Sequence, residues 1–320
     1  MMVDDDEVGT VKVLVTGGAG FIGSHLVDAL VAAGHSTRVI DDLSTGSRAD
    51  VHDDAELVVA SILDGAALTH ALDGVEVVFH LAAMRSVFRS VQSPLVTDTV
   101  NTHGTLLLLD AAHEAGVRRV VAVSSSSVYG GAEIQPTPED APLRPRSPYA
   151  VSKLAGEHYC RVFSELHGLE TVSLRYFNVF GPRQRPDSAY AAVIPLFVDA
   201  LRAGRAPVVH GDGHQSRDFT YVADAVAAAQ RAADAPAEVC DGRAYNVAAG
   251  TSTSLLELLE ILGRLLGVDN PPQHVDPRPG DVRHTRADPT AARRDLGFKC
   301  QVSIEEGLRR TVEATDPVRR

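Results

Sequence analysis

Short apolar runs alternate with helical patterns through the first half of the chain. The apolar runs predict strands at residues 11–15, 36–40, 56–60, 75–80, 119–123 and 170–174, and the longest helical patterns lie near 104–116 and 149–166. Strands that alternate with helices in this way form a parallel sheet with helices on both faces. We therefore predict an α/β fold built on a doubly wound parallel sheet.

The second half of the chain has a less regular pattern and is richer in proline and glycine. A strong helical pattern covers residues 255–267, short apolar runs lie at 193–195 and 208–210, and residues 218–233 predict one more strand–helix unit of the main sheet. Ligands of doubly wound sheets bind beyond the carboxyl ends of the strands. We therefore expect this half to form a smaller lobe over those ends, with its boundary near Gly181.

Three glycines lie where the first predicted strand meets the first predicted helix. Gly17, Gly20 and Gly23 have the spacing at which a dinucleotide-binding turn needs glycine. The first permits a tight turn, the second lets the backbone approach a pyrophosphate, and the third lets the helix pack against the strand. The helix N-terminus behind them favours phosphate groups, because its N–H groups and dipole attract anions.

An aspartate follows the second predicted strand, about 20 residues after the glycines, as the dinucleotide fingerprint requires. Asp41 can hold both ribose hydroxyls and would repel a 2′-phosphate, and Asp42 adds a second carboxylate. These residues favour NAD over NADP. We expect an acidic disordered tail at residues 1–9, a Rossmann-like NAD-binding domain at 10–180 with a returning segment near 216–235, and a partly interleaved substrate lobe at 181–320.

Composition and charge narrow the class of protein. The 320 residues are 44% hydrophobic and 22% charged, as in ordinary globular proteins, and the formal net charge of −12 argues against nonspecific nucleic-acid binding. No run approaches the ~20 apolar residues that cross a bilayer, and residues 1–9 lack the features of a signal peptide. Cys160, Cys240 and Cys300 lie far apart and outside any metal-ligand spacing. We expect a cytoplasmic protein without a metal, a nucleic-acid partner or a membrane partner.

Candidate catalytic residues lie on one predicted helix and at the end of a predicted strand. Tyr149 and Lys153 share a helix face, where an ammonium beside a phenol favours the phenolate. By itself this pair is more typical of an ordinary helix with a packed tyrosine and an exposed lysine. Four serines, however, follow the buried strand at 119–123. A serine at a strand end together with a tyrosine and a lysine on a helix is the set of groups that hydride transfer at a carbinol carbon requires. Ser125 would hydrogen-bond the substrate hydroxyl, Tyr149 would remove its proton, and Lys153 would hold Tyr149 and the nicotinamide ribose.

Taken together, these motifs resemble the extended short-chain dehydrogenase/reductase family. The resemblance is carried by the glycine motif, by Asp-Asp-Leu-Ser-Thr-Gly at 41–46, His-Leu-Ala-Ala at 80–83, the serine run, the Tyr149 and Lys153 pair, and Arg-Tyr-Phe-Asn-Val-Phe-Gly-Pro at 175–182. Within this family the chain is similar to nucleotide-sugar 4-epimerases over essentially its whole length after the acidic tail.

The resemblance implies roles for individual residues. The implied catalytic residues are Ser125, Tyr149 and Lys153. The implied NAD-binding residues are Gly17, Gly20, Phe21, Ile22, Gly23, Asp41, Asp42, Ser44, Thr45, Gly46, Ser61, Ile62, Leu81, Ala82, Ala83, Arg85, Asn101, Ser124, Tyr149, Lys153 and Tyr176. The implied substrate-binding residues are Ser86, Ser125, Ser126, Tyr149, Asn178, Gln184, Arg185, Val193, Arg217, Arg278, Asp281 and Thr285. Among them, Arg217 and Arg278 match diphosphate ligands and Asp281 matches a nucleoside-ribose ligand. Ser61 departs from the family pattern, since many relatives carry aspartate there.

The activity implied by the resemblance is NAD-dependent C4 epimerisation of a UDP-sugar. Tyr149 would take the proton of the 4-hydroxyl while hydride leaves C4 for NAD. The resulting 4-keto sugar would turn over and regain the hydride on its other face. Thr285 matches the residue beside the C2 substituent, and its small side chain leaves room for an N-acetyl group. UDP-glucose and UDP-galactose, and also UDP-GlcNAc and UDP-GalNAc, are therefore the favoured substrates.

Several alternatives remain at this stage. An arginine at the place of Arg185 could face the C6 carboxylate of UDP-glucuronate, although Asn178 argues against a uronate 4-epimerase. A 4,6-dehydratase needs an acid–base pair where Ser126 and Ser127 stand, and a reductase would more often use NADPH. A non-catalytic NAD-binding protein would tend to lack the tyrosine or the lysine.

The resemblance also implies a homodimer. In this family the helices corresponding to 101–116 and 149–168 commonly pair across a two-fold axis. Contacts could come from Leu106, Leu107, Leu109, Val162 and Phe163, or these side chains could face the chain's own sheet.

Overall fold

The computed structural model describes residues 10–185, 192–277 and 282–315. Its strands are β1 (Lys12–Thr16), β2 (Ser36–Asp41), β3 (Glu56–Val59), β4 (Val77–His80), β5 (Arg119–Ser125), β6 (Glu170–Tyr176), β7 (Val179–Phe180), β8 (Val208–His210), β9 (Ser216–Arg217), β10 (Thr220–Tyr221), β11 (Asp241–Val247), β12 (Thr253–Ser254) and β13 (Gln273–Val275). The tail predicted at 1–9, and Arg278 and Asp281, lie outside the described residues.

The helices are α1 (Phe21–Ala32), α2 (Gly65–Leu72), α3 (Val87–Gln92), α4 (Pro94–Asp98), α5 (Gly104–Glu114), α6 (Pro148–His167), α7 (Val193–Arg202), α8 (Val222–Asp234), α9 (Leu255–Leu266), α10 (Thr290–Asp295) and α11 (Ile304–Ala314). A π-helical turn, Thr99–His103, joins α4 to α5. Within the described ranges, no helix is both long and apolar enough to span a membrane.

The central sheet of the described chain has the strand order β11-β6-β5-β4-β1-β2-β3. Every neighbouring pair in it is parallel. The chain proceeds outward from β1 to β3 and then crosses to β4, on the other side of β1. This reversal leaves a crevice at the carboxyl ends of β1 and β4, which is where such sheets bind ligands. The predicted doubly wound parallel sheet is confirmed.

Burial on both faces explains why the inner strands are continuous apolar runs. In β1, Val13 and Val15 pack on the face covered by α1 and α8, whereas Leu14 packs on the face covered by α2, α5 and α6. In β5, Val121 and Val120 divide between the two faces in the same way. The sheet is therefore a rigid layer between two helical layers, and its strand ends are fixed in position.

A strand, β10, forms near the start of residues 218–233 as predicted, but its predicted place in the main sheet is wrong. The short strands there pair outside the central sheet, β9 with β12 and β10 with β7. Only the helix that follows, α8, packs on the sheet, through small side chains such as Ala225 and Ala228. The seventh strand is instead β11, which pairs with β6 at the sheet edge. Its Asp241-Gly242-Arg243 start is polar, so a search for apolar runs passes over it.

A smaller hydrophobic cluster lies in the second half of the chain, where α7, α9 and α11 pack together. Its members include Ile194, Phe197, Leu258, Leu262 and Leu308, and also Phe180 from β7. A capping box begins α9: the Ser254 hydroxyl accepts the N–H of Glu257, and the Glu257 carboxylate accepts the N–H of Ser254. The division into an NAD-binding domain at 10–180 and a substrate lobe at 181–320 stays a prediction.

Candidate active site

The turn between β1 and α1 needs glycine for steric reasons. Gly17 has a φ of +72°, and a Cβ on it would lie 2.7 Å from the Ala82 nitrogen. A Cβ on Gly23 would lie 2.1 Å from the Gly17 oxygen. Around Gly20, by contrast, the nearest atom to such a Cβ is the Gly17 oxygen at 3.2 Å. The backbone at Gly20 therefore lies at an open surface that a ligand can approach closely.

The same turn has the donors that a diphosphate needs. α1 begins at Phe21, Gly20 occupies its N-cap position, and no side chain of the described residues caps it. The first N–H groups of a helix have no partners within the helix and carry its positive dipole end. The predicted residues Gly20, Phe21, Ile22 and Gly23 therefore fit the diphosphate of NAD.

Asp41 lies at the carboxyl end of β2, next to the glycine turn. Its carboxylate accepts the N–H of Leu43 at 2.8 Å and that of Ala19 at 3.0 Å. Burial raises the pKa of Asp41, while these two hydrogen bonds lower it. Each carboxylate oxygen keeps a lone pair for a ribose hydroxyl. Asp42 is exposed and accepts the N–H of Ser44 at 2.9 Å.

The loops around this site hold the remaining predicted cofactor residues. Thr45 is exposed, and Gly46 lies against the glycine turn, since a Cβ on it would be 2.6 Å from the Ala19 oxygen. The Ser61 hydroxyl accepts the N–H of Leu63 at 3.2 Å, and Ile62 is buried. Leu81, Ala82 and Ala83 follow β4 at the crevice and are partly exposed.

A buried histidine orients the strand ends at this crevice. The His80 ring lies between two threonine hydroxyls, with Nδ1 2.8 Å from Thr16 Oγ1 and Nε2 2.9 Å from Thr105 Oγ1. Thr105 donates its own proton to the Asn101 carbonyl, so His80 must carry its proton on Nε2. Burial lowers the pKa of His80 to about 3, which keeps the ring neutral. The Thr16 hydroxyl in turn accepts the N–H of Ala82 at 3.2 Å.

The structure brings Ser125, Tyr149 and Lys153 together at the carboxyl end of β5. Ser147 caps α6, because its hydroxyl accepts the N–H of Ala150 at 3.1 Å, so Tyr149 and Lys153 lie in the first turns of the helix. Tyr149 hydrogen-bonds Ser125. Lys153 is 9% exposed, and its Nζ donates to the Val123 carbonyl of β5 at 2.8 Å.

The local environment shifts the pKa values of both helix residues. Burial raises the pKa of Tyr149, whereas the hydrogen bond with Ser125 and the charge of Arg85 lower it. The expectation that Lys153 lowers the pKa of Tyr149 is not met: the charge that lowers it is that of Arg85, and burial outweighs both lowering effects. Burial also lowers the pKa of Lys153 to about 8, against the opposing charge of Glu157.

A buried ion pair beneath these residues was not predicted from the sequence. The Glu157 carboxylate accepts hydrogen bonds from Ser124 Oγ at 2.5 Å, from Arg175 Nε at 3.0 Å and from Arg175 Nη2 at 2.7 Å. Glu157 stands one and two turns beyond Lys153 and Tyr149 on the same helix face, and that spacing is the signal that could have found it.

Three predicted cofactor residues use their side chains within the protein. The Ser124 hydroxyl points to Glu157, and the Tyr176 ring lies in the core with its hydroxyl donating to the Ala225 carbonyl at 2.9 Å. The Asn101 side-chain amide accepts the N–H of Met84 and donates to the Met84 carbonyl. It also donates to Ser152 Oγ at 3.0 Å. Cofactor contacts from Ser124 and Tyr176 would have to come from their main chains.

Several predicted substrate residues converge near β9. Asn178, in the left-handed region at φ 35°, donates to the Asp218 carbonyl at 2.9 Å. Thr285 Oγ1 accepts the N–H of Asp218 at 3.2 Å, and Arg217 directly precedes Asp218. Ser126 and Thr285 also line one cavity, together with Tyr129, Gly131, Ala132, Gln135, Thr137, Phe177 and His284. Of these lining residues, Ser126 and Thr285 were predicted as substrate residues and the other seven were not.

The other predicted substrate residues lie elsewhere along the chain. Ser86 caps α3 by accepting the N–H of Arg89 at 3.1 Å, and Arg85 beside it is exposed. Gln184 donates to the Val179 carbonyl at 3.3 Å, Arg185 is exposed, and Val193 begins α7. Over the described ranges, no group of three or more His, Cys, Asp or Glu side chains could hold a metal ion.

Known proteins match this chain over nearly its full length. It is 45% identical to the UDP-glucose 4-epimerase of Mycolicibacterium smegmatis over 310 residues, which cover 94% of this chain and 97% of that one. The crystal structure of UDP-glucose 4-epimerase from Thermotoga maritima with UDP-glucose has a TM-score of 0.90 at 37% identity, covering 95% of this chain and 98% of that chain. The UDP-N-acetylglucosamine 4-epimerase from Methanobrevibacter ruminantium M1, in complex with UDP-N-acetylmuramic acid, has a TM-score of 0.91 at 40% identity, covering 96% and 98%.

The sequence model of the NAD dependent epimerase/dehydratase family matches residues 13–248 of this chain. The resemblance stated from the motifs is thereby confirmed, and so is the expected cofactor. The chain belongs to the NAD dependent epimerase/dehydratase family.

Proposed function

We propose that this protein is an isomerase that epimerises a UDP-sugar at C4. The observation that carries the proposal is the group of Ser125, Tyr149 and Lys153 at the carboxyl end of β5, one strand beyond the cofactor crevice. The named activities of the similar proteins, UDP-glucose and UDP-N-acetylglucosamine 4-epimerases, support it.

Each residue of this group has a task in the proposed reaction. Tyr149 takes the proton of the sugar 4-hydroxyl and later returns it, and Ser125 holds that oxygen by a hydrogen bond. Lys153 is proposed to hold the nicotinamide ribose, and the charge of Arg85 favours the Tyr149 phenolate. NAD, when bound, supplies the acceptor for the C4 hydride and the source from which it is returned. Arg217 is proposed to hold the diphosphate, as a guanidinium forms charge-assisted hydrogen bonds with it.

The residues after the catalytic serine argue against a dehydratase. Dehydration across C5 and C6 needs an acid and a base, whereas Ser126 and Ser127 present only hydroxyls. Ser126 lines the cavity beside Thr285, and Ser127 Oγ is buried without a hydrogen-bond partner among the described residues. Neither side chain titrates near neutral pH.

The proposed substrates are UDP-hexoses, N-acetylated ones included. Thr285 is a small residue at the cavity, and one similar protein is named for UDP-N-acetylglucosamine. A uronate substrate is the second candidate, because Arg185 is exposed and could face a C6 carboxylate.

To test the proposal, the purified protein is incubated with NAD and, separately, UDP-galactose, UDP-GalNAc and UDP-glucuronate, and the sugar protons are followed by NMR. We expect the C4 epimers of the first two. No conversion of any of them by NAD-bound protein would overturn the proposal, and fastest conversion of UDP-glucuronate would favour the second candidate.

A homodimer and a cytoplasmic location complete the proposal. Apolar side chains on α3, α4 and α6 are exposed, among them Val91, Leu95, Val151, Val162 and Leu166. Such a patch on a soluble protein is typical of an interface. The previously named Leu109 and Phe163 do not contribute, since both pack in the core beneath the sheet, and Leu106 and Leu107 pack against that core. The cysteines are free, as expected in a reducing compartment.

A further inference from the structure

Asp218 is a fully buried carboxylate that the proposed chemistry does not use. It lies between β9 and β10 and is 0% exposed. Its carboxylate accepts three backbone N–H groups, from Ala249 at 3.1 Å, Gly250 at 3.2 Å and Ala287 at 3.0 Å. Burying a carboxylate is costly unless hydrogen bonds compensate it. Here the three donors come from two segments distant in sequence, so the carboxylate ties those segments together.

The main chain of Asp218 is bonded to residues proposed to bind the substrate. Its carbonyl accepts from Asn178 Nδ2 at 2.9 Å, and its N–H donates to Thr285 Oγ1 at 3.2 Å. Arg217, the proposed diphosphate ligand, is its neighbour in sequence. These three residues belong to three separate segments, and Asp218 is the point where the segments meet.

We propose that Asp218 is a positioning residue, whose buried carboxylate holds Asn178, Arg217 and Thr285 in the arrangement that binds the nucleotide sugar. The inference rests on the proposed function. Binding groups that are held in place before the ligand arrives lose less conformational freedom on binding. Without the carboxylate, the loops at 249–250 and 285–287 lose their common anchor, and the three side chains must be ordered by the ligand itself.

Asp224 provides a matched control in the same part of the chain. It lies on α8, is 3% exposed, and also accepts three donors: Cys300 Sγ at 3.0 Å, Gln301 N at 2.8 Å and Val302 N at 3.1 Å. Its partners include none of the proposed substrate residues. Asp224→Asn therefore disrupts a similar set of hydrogen bonds to a buried carboxylate, and it leaves the residues of the proposed binding site unchanged.

The test measures UDP and NAD affinities by calorimetry for the wild type, Asp218→Asn and Asp224→Asn. In Asp218→Asn an amide NH₂ replaces one carboxylate oxygen and faces backbone N–H groups. Two donors then face each other, so hydrogen bonds to the segments at 249–250 and 287 are lost. We expect UDP to bind roughly 10- to 100-fold more weakly to Asp218→Asn, since a misplacement of positioned groups by about 1 Å can cost as much as about 10²-fold. NAD affinity should stay within about twofold, and Asp224→Asn should bind both ligands like the wild type. Steady-state kinetics should show the change in KM for the UDP-sugar rather than in kcat.

Equal UDP affinity of Asp218→Asn and the wild type, or equal weakening by both variants, would overturn the inference. A wild type that binds no UDP would overturn the proposed function, and this inference with it. If Asp218→Asn does not fold, hydrogen exchange on the wild type decides. UDP should slow exchange at the amides of Ala249, Gly250 and Ala287, and unchanged exchange there would contradict the role proposed for Asp218.

Discussion

At the scale of single residues, the chemistry depends on Tyr149, which lies in a partly closed environment that raises its pKa. Its phenol must gain and lose a proton during each proposed turnover. Tyr149→Phe removes the hydroxyl and keeps the ring, so turnover should fall by about 10²- to 10⁴-fold, the usual contribution of a positioned acid–base group. The assay is NMR of the epimerised sugar, and near wild-type turnover would contradict the assignment.

A second prediction at this scale concerns Lys153, whose pKa burial lowers to about 8. A lysine whose pKa is lowered loses its ammonium proton at a lower pH, so kcat should decline as the pH rises through that region. The negative charge of Glu157 raises the pKa of Lys153, and Glu157→Gln should therefore move this decline to lower pH.

The control for that experiment is Glu165→Gln, also on α6. Glu165 pairs with Arg161 at the surface, and its side chain is 54% exposed. Its substitution should leave the pH profile of kcat unchanged. Because Glu157 also pairs with buried Arg175, thermal unfolding of both variants must show a folded protein at the assay temperature. A pH profile that is identical in the wild type and Glu157→Gln would show that Glu157 does not act on Lys153.

At the scale of elements, the junction of β1 and α1 leaves no room for a side chain at Gly23. A Cβ on Gly23 would lie 2.1 Å from a backbone oxygen, which cannot move without moving the turn. Gly23→Ala should therefore lower NAD affinity by roughly 5- to 160-fold, since forced overpacking costs about 1–3 kcal/mol. NAD binding is measured by calorimetry.

Gly65→Ala is the matched control for the glycine substitution. Gly65 begins α2, and a Cβ added there would meet no atom within 4 Å. Alanine also has the higher helix propensity. We expect unchanged NAD affinity and equal or greater stability. Equal loss of NAD affinity in both variants would contradict the steric explanation.

The elements also show what the sequence could and could not predict. The inner strands are predictable because burial on both faces makes them apolar throughout. The edge strand β11 is not, since its first residues are polar. The glycine turn and the Tyr149–Lys153 helix follow from local spacing. The hydrogen bonds that occupy the side chains of Ser124, Asn101 and Tyr176 join residues far apart in sequence, so local patterns do not reveal them.

At the scale of the whole molecule, the exposed apolar side chains of α3, α4 and α6 lead to a prediction about assembly. Leu166 is 73% exposed on α6. Leu166→Glu would bury a charge in the proposed interface and should shift the protein from dimer to monomer in size-exclusion chromatography with light scattering. Val208→Glu is the control, because Val208 is 48% exposed on β8 in the second half of the chain. A monomeric wild type would contradict the proposed homodimer.

The activity of the whole molecule, as proposed, transfers the hydrogen on C4 of the sugar to NAD and returns it to the same carbon. The most direct measurement uses UDP-galactose deuterated at C4, incubated with the protein and NAD in ordinary water, with the product analysed by NMR. Deuterium retained at C4 of UDP-glucose is the expected result, because hydride transfer does not exchange with solvent. Loss of the deuterium to water during epimerisation would mean that C4 loses a proton instead, and it would contradict the central claim.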